Sequence, residues 1–563
     1  MFIRKKSNKS GSVSIQIISK ARGRYRVVES VGVGRSEQEI SNLYKKAQLL
    51  LKQHSGNLEL FVDEEESTYE SFLSFLNNDH IQVIGPELIY GSLFDKIGYN
   101  QIKELMFRHL VITRLYNPGS KLKTVEYLRN YLGIEKDIQE VYRFLDKLSD
   151  KLKEQVEDIT YQHTRNILKG TPSVLFYDMT TLYFEASDED DLRKAGFSKD
   201  GKHHCPQIFL GLLVGYGGNP IGYAVFEGNI FEGHTLMPVL QKFEKRFSLS
   251  KPIVIADSGL LSKANIQQLE ADGYEYIIGG RPKNESEDIK EKILSLPLAE
   301  DGAIAVIKRS GNRRMIVSYT KSRSQKDAFN RERGLRSLEK KIRTGKLTKS
   351  AINNRGYNKY LKLKGNVTIE IDYDKYANDS KWDGIKSFIT NTSIPSEKVL
   401  ENYSHLWFIE RAFRMNKTDL KICPIYHRLR NRIEAHICIS FTAYTVLLEL
   451  ERILKNNKSK ISLRQAAELT KRMYQINITL PSSGKMKPHL LGMNELQREL
   501  YFGCQKYIGC PIGENRRHIS KTSSGLFVPT KSCFICICYL PDNNRTYHNR
   551  IAFFIIDLDW HLF

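Results

Sequence analysis

Between Ser173 and Ile278 the chain passes through three apolar runs in succession, then a helical period, a strand, a second helical period and a last strand. That order constrains the fold more than any other feature. Ser173–Ala186 (SVLFYDMTTLYFEA), Gln207–Tyr216 (QIFLGLLVGY) and Pro220–Phe226 read as strands, and the Gly217-Gly218-Asn219-Pro220 turn between the last two favours antiparallel pairing. A helix over Thr235–Phe247, a strand over Pro252–Ala256, a helix around Leu261–Leu269 and a strand over Tyr274–Ile278 complete an α/β order with a mixed sheet.

The flanks divide into further regions. Val13, Ile15 and Ile17 alternate with polar residues before an Arg22-Gly23-Arg24 turn, and Tyr25, Val27 and Val31 continue the pattern, which predicts a β-hairpin within an N-terminal module over 1–96. Over 97–170 the period becomes helical, with a Pro118-Gly119 break. Lys121 and Lys123 fall where an exposed helix start follows that break, either as a solvated face or as part of a region that binds DNA ends. The α/β domain extends over 171–455, and its rhythm is interrupted by an insertion over 281–400. From Lys321 to Lys364 fifteen Lys or Arg stand against Asp327, Glu332 and Glu339, so this stretch is either a cationic strip that tracks phosphates or a solvated helical hairpin. Strands are expected at Val367–Ile371 and Gly384–Thr390, and long helices at Tyr403–Leu420 and His427–Lys455, with Pro424 between them. Ile437, Phe441, Tyr444, Leu447 and Leu448 form an apolar stripe on the second. A C-terminal helical region over 456–502 and an atypical tail over 503–563 close the chain.

Charge narrows the partner. Lys and Arg number 86 against 64 Asp and Glu, a net charge of +22, which favours a polyanion and first of all nucleic acid. With 41% hydrophobic residues the bulk of the chain can fold, so a disordered basic tail is excluded as the whole answer. The longest membrane-span candidate, Ile437–Leu450, is interrupted by Ser440, Thr442 and Thr445, and the basic start lacks a signal-peptide core. No membrane association is expected. Eight cysteines, with Cys205, Cys423 and Cys438 scattered singly, suit a reducing cytoplasm.

Asp178 lies inside an otherwise apolar strand and Asp257 closes another. A buried carboxylate must be paired, hydrogen-bonded or metal-bound. Each taken singly is an ordinary strand-end residue; side by side they repel unless a divalent cation, magnesium or manganese, lies between them. Tyr403, Leu406, Glu410, Arg414 and Lys417 recur at spacings of three and four, which brings a third carboxylate and cationic neighbours to one helical face. Glu410 with Arg414 is equally an i,i+4 salt bridge.

An Asp in the first strand, an Asp ending the fourth, a long insertion and then a Glu on a helix resemble the DDE transposases of bacterial insertion sequences. The resemblance is to the branch marked by Tyr, two residues, Arg, three residues, Glu, six residues, Lys: Tyr403, Glu410 and Lys417 keep that spacing, and Leu406 stands in the Arg position. GFSKDGKHH (196–204), Gly228-Asn229 followed by HTL (234–236) and IADSGLLS (255–262) are similar too, and the likeness covers about 170–455. It implies a ribonuclease-H-like mixed sheet with a basic insertion before the catalytic Glu helix. It also implies Asp178, Asp257 and Glu410 as catalytic and metal-holding residues, with two ions about 4 Å apart. Water or a 3′-hydroxyl would be the nucleophile, first to cut the element's ends and then to join them to target DNA. Tyr403 and Lys417, with Arg414 or Arg411 in place of the missing Arg, would bind DNA. Double-stranded DNA, a homodimer on paired ends and a nucleoid-associated location complete the implied picture. A catalytically inactive DNA-binding relative and a ribonuclease-H-like nuclease or resolvase are the alternatives. His203, His204 and Cys205 are adjacent but point to alternate faces, which makes joint metal ligation awkward. In the tail, Cys533 and Cys536 lack a well-spaced second pair for zinc, since Cys504 and Cys510 are badly placed.

Overall fold

The computed structural model describes residues 1–508, apart from residues 9, 22, 55–77, 261, 299, 348–351, 354–355, 365–367 and 480–485. Beyond Cys504 the cysteines of the expected tail therefore lie outside the described residues. The chain divides into two units, one of Met1–Val83, Tyr131–Gly133 and Tyr474–Leu490, the other of Ile84–Asn130, Ile134–Met473 and Leu491 onward.

The larger unit is built on an eight-stranded sheet. Its strands are β1 (Val174–Tyr183), β2 (Gln207–Val214), β3 (Pro220–Glu227), β4 (Ile253–Ala256), β5 (Tyr276–Gly279), β6 (Ile304–Lys308), β7 (Arg314–Tyr319) and β8 (Ile385–Thr390). They lie in the order β6-β7-β8-β5-β4-β1-β2-β3. β1 is antiparallel to β2 and parallel to β4, and β4 is parallel to β5. The run β3-β2-β1-β4-β5 is the ribonuclease-H-like sheet that the sequence leads one to expect.

The stretch over 281–400 does more than interrupt that sheet. β8 joins β5 antiparallel, and β7 and β6 follow it, so three strands extend the edge. β6 and β7 escape a sequence reading because their apolar runs, Ile304–Ile307 and Met315–Val317, are only four and three residues long and lie within a charged stretch. Only the turn at Gly311, with φ of +70°, marks the hairpin. The expected strand over Val367–Ile371 is realised as Thr368–Ile371 and pairs outside the main sheet, with Leu361–Lys364. In place of a helical hairpin there is one helix of 23 residues, Lys321–Arg343, whose Leu338 shares a small separate core with Tyr360, Leu361 and Ile371.

The two faces of the sheet separate cleanly by the two-residue period. Leu175, Tyr177, Met179, Val254 and Ala256 point into the core under the helices Leu236–Phe247 and Lys263–Ala271. Phe176, Leu182, Ile255, Ile277 and Phe388 point to the other side, where the helices Trp407–Arg414 and Arg430–Asn456 pack. The second of these is not merely striped: every residue from Ala435 to Leu450 is buried, so the helix threads the core. Helices Leu105–Tyr116, Ile138–Lys147, Lys153–Leu168 and Glu495–Ile508 pack around it.

Lys121, expected at an exposed helix start, is instead 6% exposed. Burial and the nearby Arg114 charge hold its ammonium well below the ordinary lysine range. The helix Glu495–Ile508 runs through the expected tail boundary at 502, and its Cys504 is a buried free thiol. No helix among the described residues is long and apolar enough to cross a membrane.

In the smaller unit the expected hairpin is present as Val13–Ala21 and Arg24–Gly34, with Phe2–Ser7 as a third antiparallel strand. The helix Glu37–His54 covers Ile15 and Ile17 through Ala47. Tyr474–Thr479 and Met486–Leu490, in the region read as helical, pair as strands and join Ile81–Val83.

Candidate active site

Register brings the two aspartates together. Tyr177 of β1 lies opposite Ala256 of β4 in parallel pairing, so Asp178 and Asp257 follow one step later on neighbouring strands, whose separation in a sheet is about 4.8 Å. Both continue the face of Phe176 and Ile255, on which the helix Trp407–Arg414 packs. The ring of Phe408 from that helix meets Phe176 at 6.0 Å between centroids.

Asp178 is partly buried and accepts a hydrogen bond from the amide of Met179 at 2.7 Å. Burial pushes its carboxyl up to about 6, Lys199 and the Met179 amide oppose this, and the negative charges of Asp257 and Glu232 reinforce it. Lys199 Nζ lies 3.8 Å from Asp178 Oδ1 and 3.0 Å from Glu232 Oε1, and it donates to the carbonyl of Met179 at 2.7 Å. Gly259, two residues past Asp257, separates the acids further along. A Cβ there would stand 3.2 Å from Glu232 Oε2 and 4.0 Å from Asp257 Oδ2.

Tyr403, at the end of the helix Ser396–Ser404, donates its hydroxyl to Asp257 Oδ1 at 3.2 Å. Its ring rests on Phe388 of β8, 4.7 Å between centroids. The approach depends on Gly279 of β5, where a Cβ would lie 2.4 Å from the phenol oxygen. Burial raises the phenol above its ordinary range, and the charges of Asp257, Asp178 and Glu410 add to the shift. All three acids singled out in the sequence thus act on one hydroxyl. Asp257 and Glu410 also act together on Lys386 of β8, where they oppose the lowering caused by burial and by Arg323.

The expected continuous helix over Tyr403–Leu420 is broken at His405–Leu406, with Glu410 on the second segment, Trp407–Arg414, and a wider π turn over Met415–Asp419. Leu406, in the position of the pattern's Arg, is 8% exposed and belongs to the apolar core. Arg411 is engaged with Glu451 on the helix Arg430–Asn456, whereas Arg414 is exposed. Lys417 Nζ pairs with Asp200 Oδ2 at 2.7 Å. His203 and His204 lie exposed on a turn, and Cys205 is a free thiol.

Among the described residues no three His, Cys, Asp or Glu side chains stand ready-formed as a metal-binding cluster. The donors suit a hard cation nonetheless: Asp178, Asp257, Glu232 and Glu410 offer carboxylate oxygens only, the chemistry of magnesium and manganese sites. The lysine ammonium between Asp178 and Glu232 shows that the place already attracts positive charge. Sequence reasoning passed over Lys199, Asp200 and Glu232. Their signal was present in GFSKDGKHH and just ahead of HTL, but only the fold shows what they face.

Residues 169–446 match a family described as the transposase DDE domain. No curated protein matches the chain. Among solved structures it is similar to one described as a cryo-EM structure of the piggyBac transposase synaptic complex with hairpin DNA. The identity is 10% and the TM-score 0.37, over 77% of this chain and 82% of that one. The domain match spans both aspartates, Glu410 and Lys417, and it decides between a recombinase and a simple nuclease. Residues 169–446 belong to the transposase DDE domain family, and the chain is a DNA transposase of the DDE class.

Proposed function

We propose that Asp178, Asp257 and Glu410 form the reaction centre of this transposase, and that Tyr403, Arg414 and Lys417 hold the DNA backbone beside it. The observation that carries this reading is the Tyr403 hydroxyl, which donates to Asp257 and feels the charges of Asp178 and Glu410. Two divalent ions, magnesium or manganese, held by the three carboxylates would supply charge stabilisation at the attacking and leaving oxygens of a phosphoryl transfer.

The chain's own groups set the remaining conditions. Tyr403 fixes Oδ1 of Asp257 and leaves Oδ2 turned toward Gly259 and the acids around it. Asp178, shared between a strand amide and Lys199, is held in the same plane of the sheet. The exposed Arg414 and the partly exposed Lys417 offer cationic contacts to phosphate, which fix the strand without reading its sequence. With the scissile phosphate so placed, water attacks to free a 3′-hydroxyl, and that hydroxyl then attacks target DNA. Two ends must be cut together, so a homodimer assembles on paired double-stranded ends, in the bacterial cytoplasm at the nucleoid.

The test uses purified protein, Mg²⁺ and DNA carrying the element's ends. Asp257→Ala is expected to abolish nicking and joining and to leave DNA binding nearly intact. Equal loss of binding and cleavage would assign Asp257 to folding and remove it from the reaction.

A further inference from the structure

The loop over 196–204 sits where neither the acids nor the Tyr403 helix explains it. Two consecutive residues of this loop reach two different parts of the site. Lys199 enters the carboxylates, 3.0 Å from Glu232 and 3.8 Å from Asp178. Asp200 turns the other way and takes the ammonium of Lys417 at 2.7 Å. The loop is held in this position from both sides. The Lys199 amide donates to Thr181 Oγ1 of β1 at 3.2 Å, and Gln207 donates to the carbonyl of Phe197 at 2.9 Å. We propose that Lys199 and Asp200 are built-in substitutes for the two charges the site works on: Lys199 for a divalent cation among the acids, and Asp200 for a DNA phosphate on Lys417.

The chemistry of each contact matches the ligand it replaces. An ammonium between two carboxylates, also donating to a main-chain carbonyl, has only oxygen neighbours, as a hard cation would. A carboxylate on a lysine presents the same anionic oxygen that a phosphate does. Neither contact is deep: the side chains of Lys199, Asp200 and Lys417 are 32%, 33% and 22% exposed. Ion pairs this open contribute little, so a cation or a phosphate with several charge-assisted contacts displaces them readily. Because both substitutes sit on one short loop, release of one loosens the other. Loading of cation and of DNA are thereby coupled, and each is expected to favour the other. Glu232 becomes part of the same arrangement as the acid that keeps Lys199 in place.

This inference rests on the reading of Asp178, Asp257 and Glu410 as the reaction centre, and the experiment separates the two. Mn²⁺ binding to the full chain without DNA is measured by electron paramagnetic resonance for wild type, Lys199→Met, Lys199→Arg and Asp178→Ala. Lys199→Met is expected to bind at least about tenfold more tightly, because a competing charge has gone from within a few ångströms, while Lys199→Arg binds as wild type does. Asp178→Ala is expected to lose the site. If Asp178→Ala binds Mn²⁺ like wild type, the reading of the reaction centre is wrong. If it loses binding but Lys199→Met binds no more tightly than wild type, the substitution idea alone is overturned. The second arm follows a short fluorescent duplex by anisotropy in EDTA. Asp200→Asn is expected to bind about threefold or more tightly by freeing Lys417, and Asp200→Asn combined with Lys417→Met to bind no better than Lys417→Met alone. Equal or weaker binding by Asp200→Asn overturns the phosphate half of the proposal.

Discussion

Two helices of similar length in the larger unit have opposite surroundings. Arg430–Asn456 is buried from Ala435 to Leu450 and carries hydroxyls and a carboxylate inside the core. Its Thr442 and Thr445 donate back to the carbonyls of Cys438 and Phe441, and Glu449 lies between His163 at 3.3 Å and Arg452 at 3.0 Å. Lys321–Arg343 buries only Gly334 and Leu338, and two of its cations pair along the helix, Arg323 with Asp327 at 3.4 Å and Arg336 with Glu332. The first helix owes its stability to what surrounds it. The second has little packing to hold it, so its basic residues, apart from the largely buried Arg331 that pairs with Asp383, face solvent or a polyanion. In one chain, helical length alone therefore says nothing about role; burial does.

The contrast is sharpest in the core. Phe441 is 4% exposed and its ring meets Tyr223 of β3 at 4.8 Å. Phe441→Ala is expected to lower unfolding stability by about 3–5 kcal/mol in urea titration, while Phe329→Ala on the charged helix, 63% exposed, shifts it by less than about 0.5 kcal/mol. Similar losses at the two positions would erase the distinction.

A smaller effect attends Glu449. Burial raises its carboxyl, but hydrogen bonds from His163 and Arg452 outweigh this and hold it at about 2. A depressed carboxylate contributes stability that is present above its unfolded value and is lost as pH falls. The wild type should therefore lose stability between pH 4.5 and about 2, as that acid gains its proton. Glu449→Gln, expected to cost about 1–3 kcal/mol at neutral pH, should show a flatter profile there, the two proteins converging near pH 2 in urea midpoints. Parallel profiles would mean that Glu449 is not the group being titrated.

The smallest stability change is expected from Lys340, Lys341 and Arg343 mutated together to Gln, and it should be near zero. If the charged helix meets DNA, the slope of log affinity against log salt becomes shallower by about 0.9 for each phosphate that is no longer neutralised. An unchanged slope would leave those residues with water alone.

The central sheet could be read from the sequence because β1, β2 and β4 are buried along nearly their whole length, which leaves unbroken apolar runs. Asp178 stands out for the same reason, as a carboxylate inside such a run, and Asp257 as the residue that closes another. β6 gave a weaker signal: it is a five-residue edge strand whose apolar run, Ile304–Ile307, is short and whose single charge, Lys308, is tolerated at the open edge. The burial of Lys121 and the break at His405–Leu406 depend on which neighbours arrive from distant parts of the chain, and local spacing does not encode that. Lys199, Asp200 and Glu232 belong to the same class, since an ion pair across 33 or 217 positions has no periodic trace.

The shared ladder beneath the two aspartates has a mechanical consequence. Their spacing is set by main-chain hydrogen bonds between two parallel strands, so it is complete once the sheet forms and does not wait for a substrate. Glu410 arrives on a short helical segment beyond a turn, with no ladder to hold it. The two aspartates are thus held by the main chain, whereas the glutamate is held by side-chain packing alone, through the buried Ile409, Ala412 and Phe413 of its own helix.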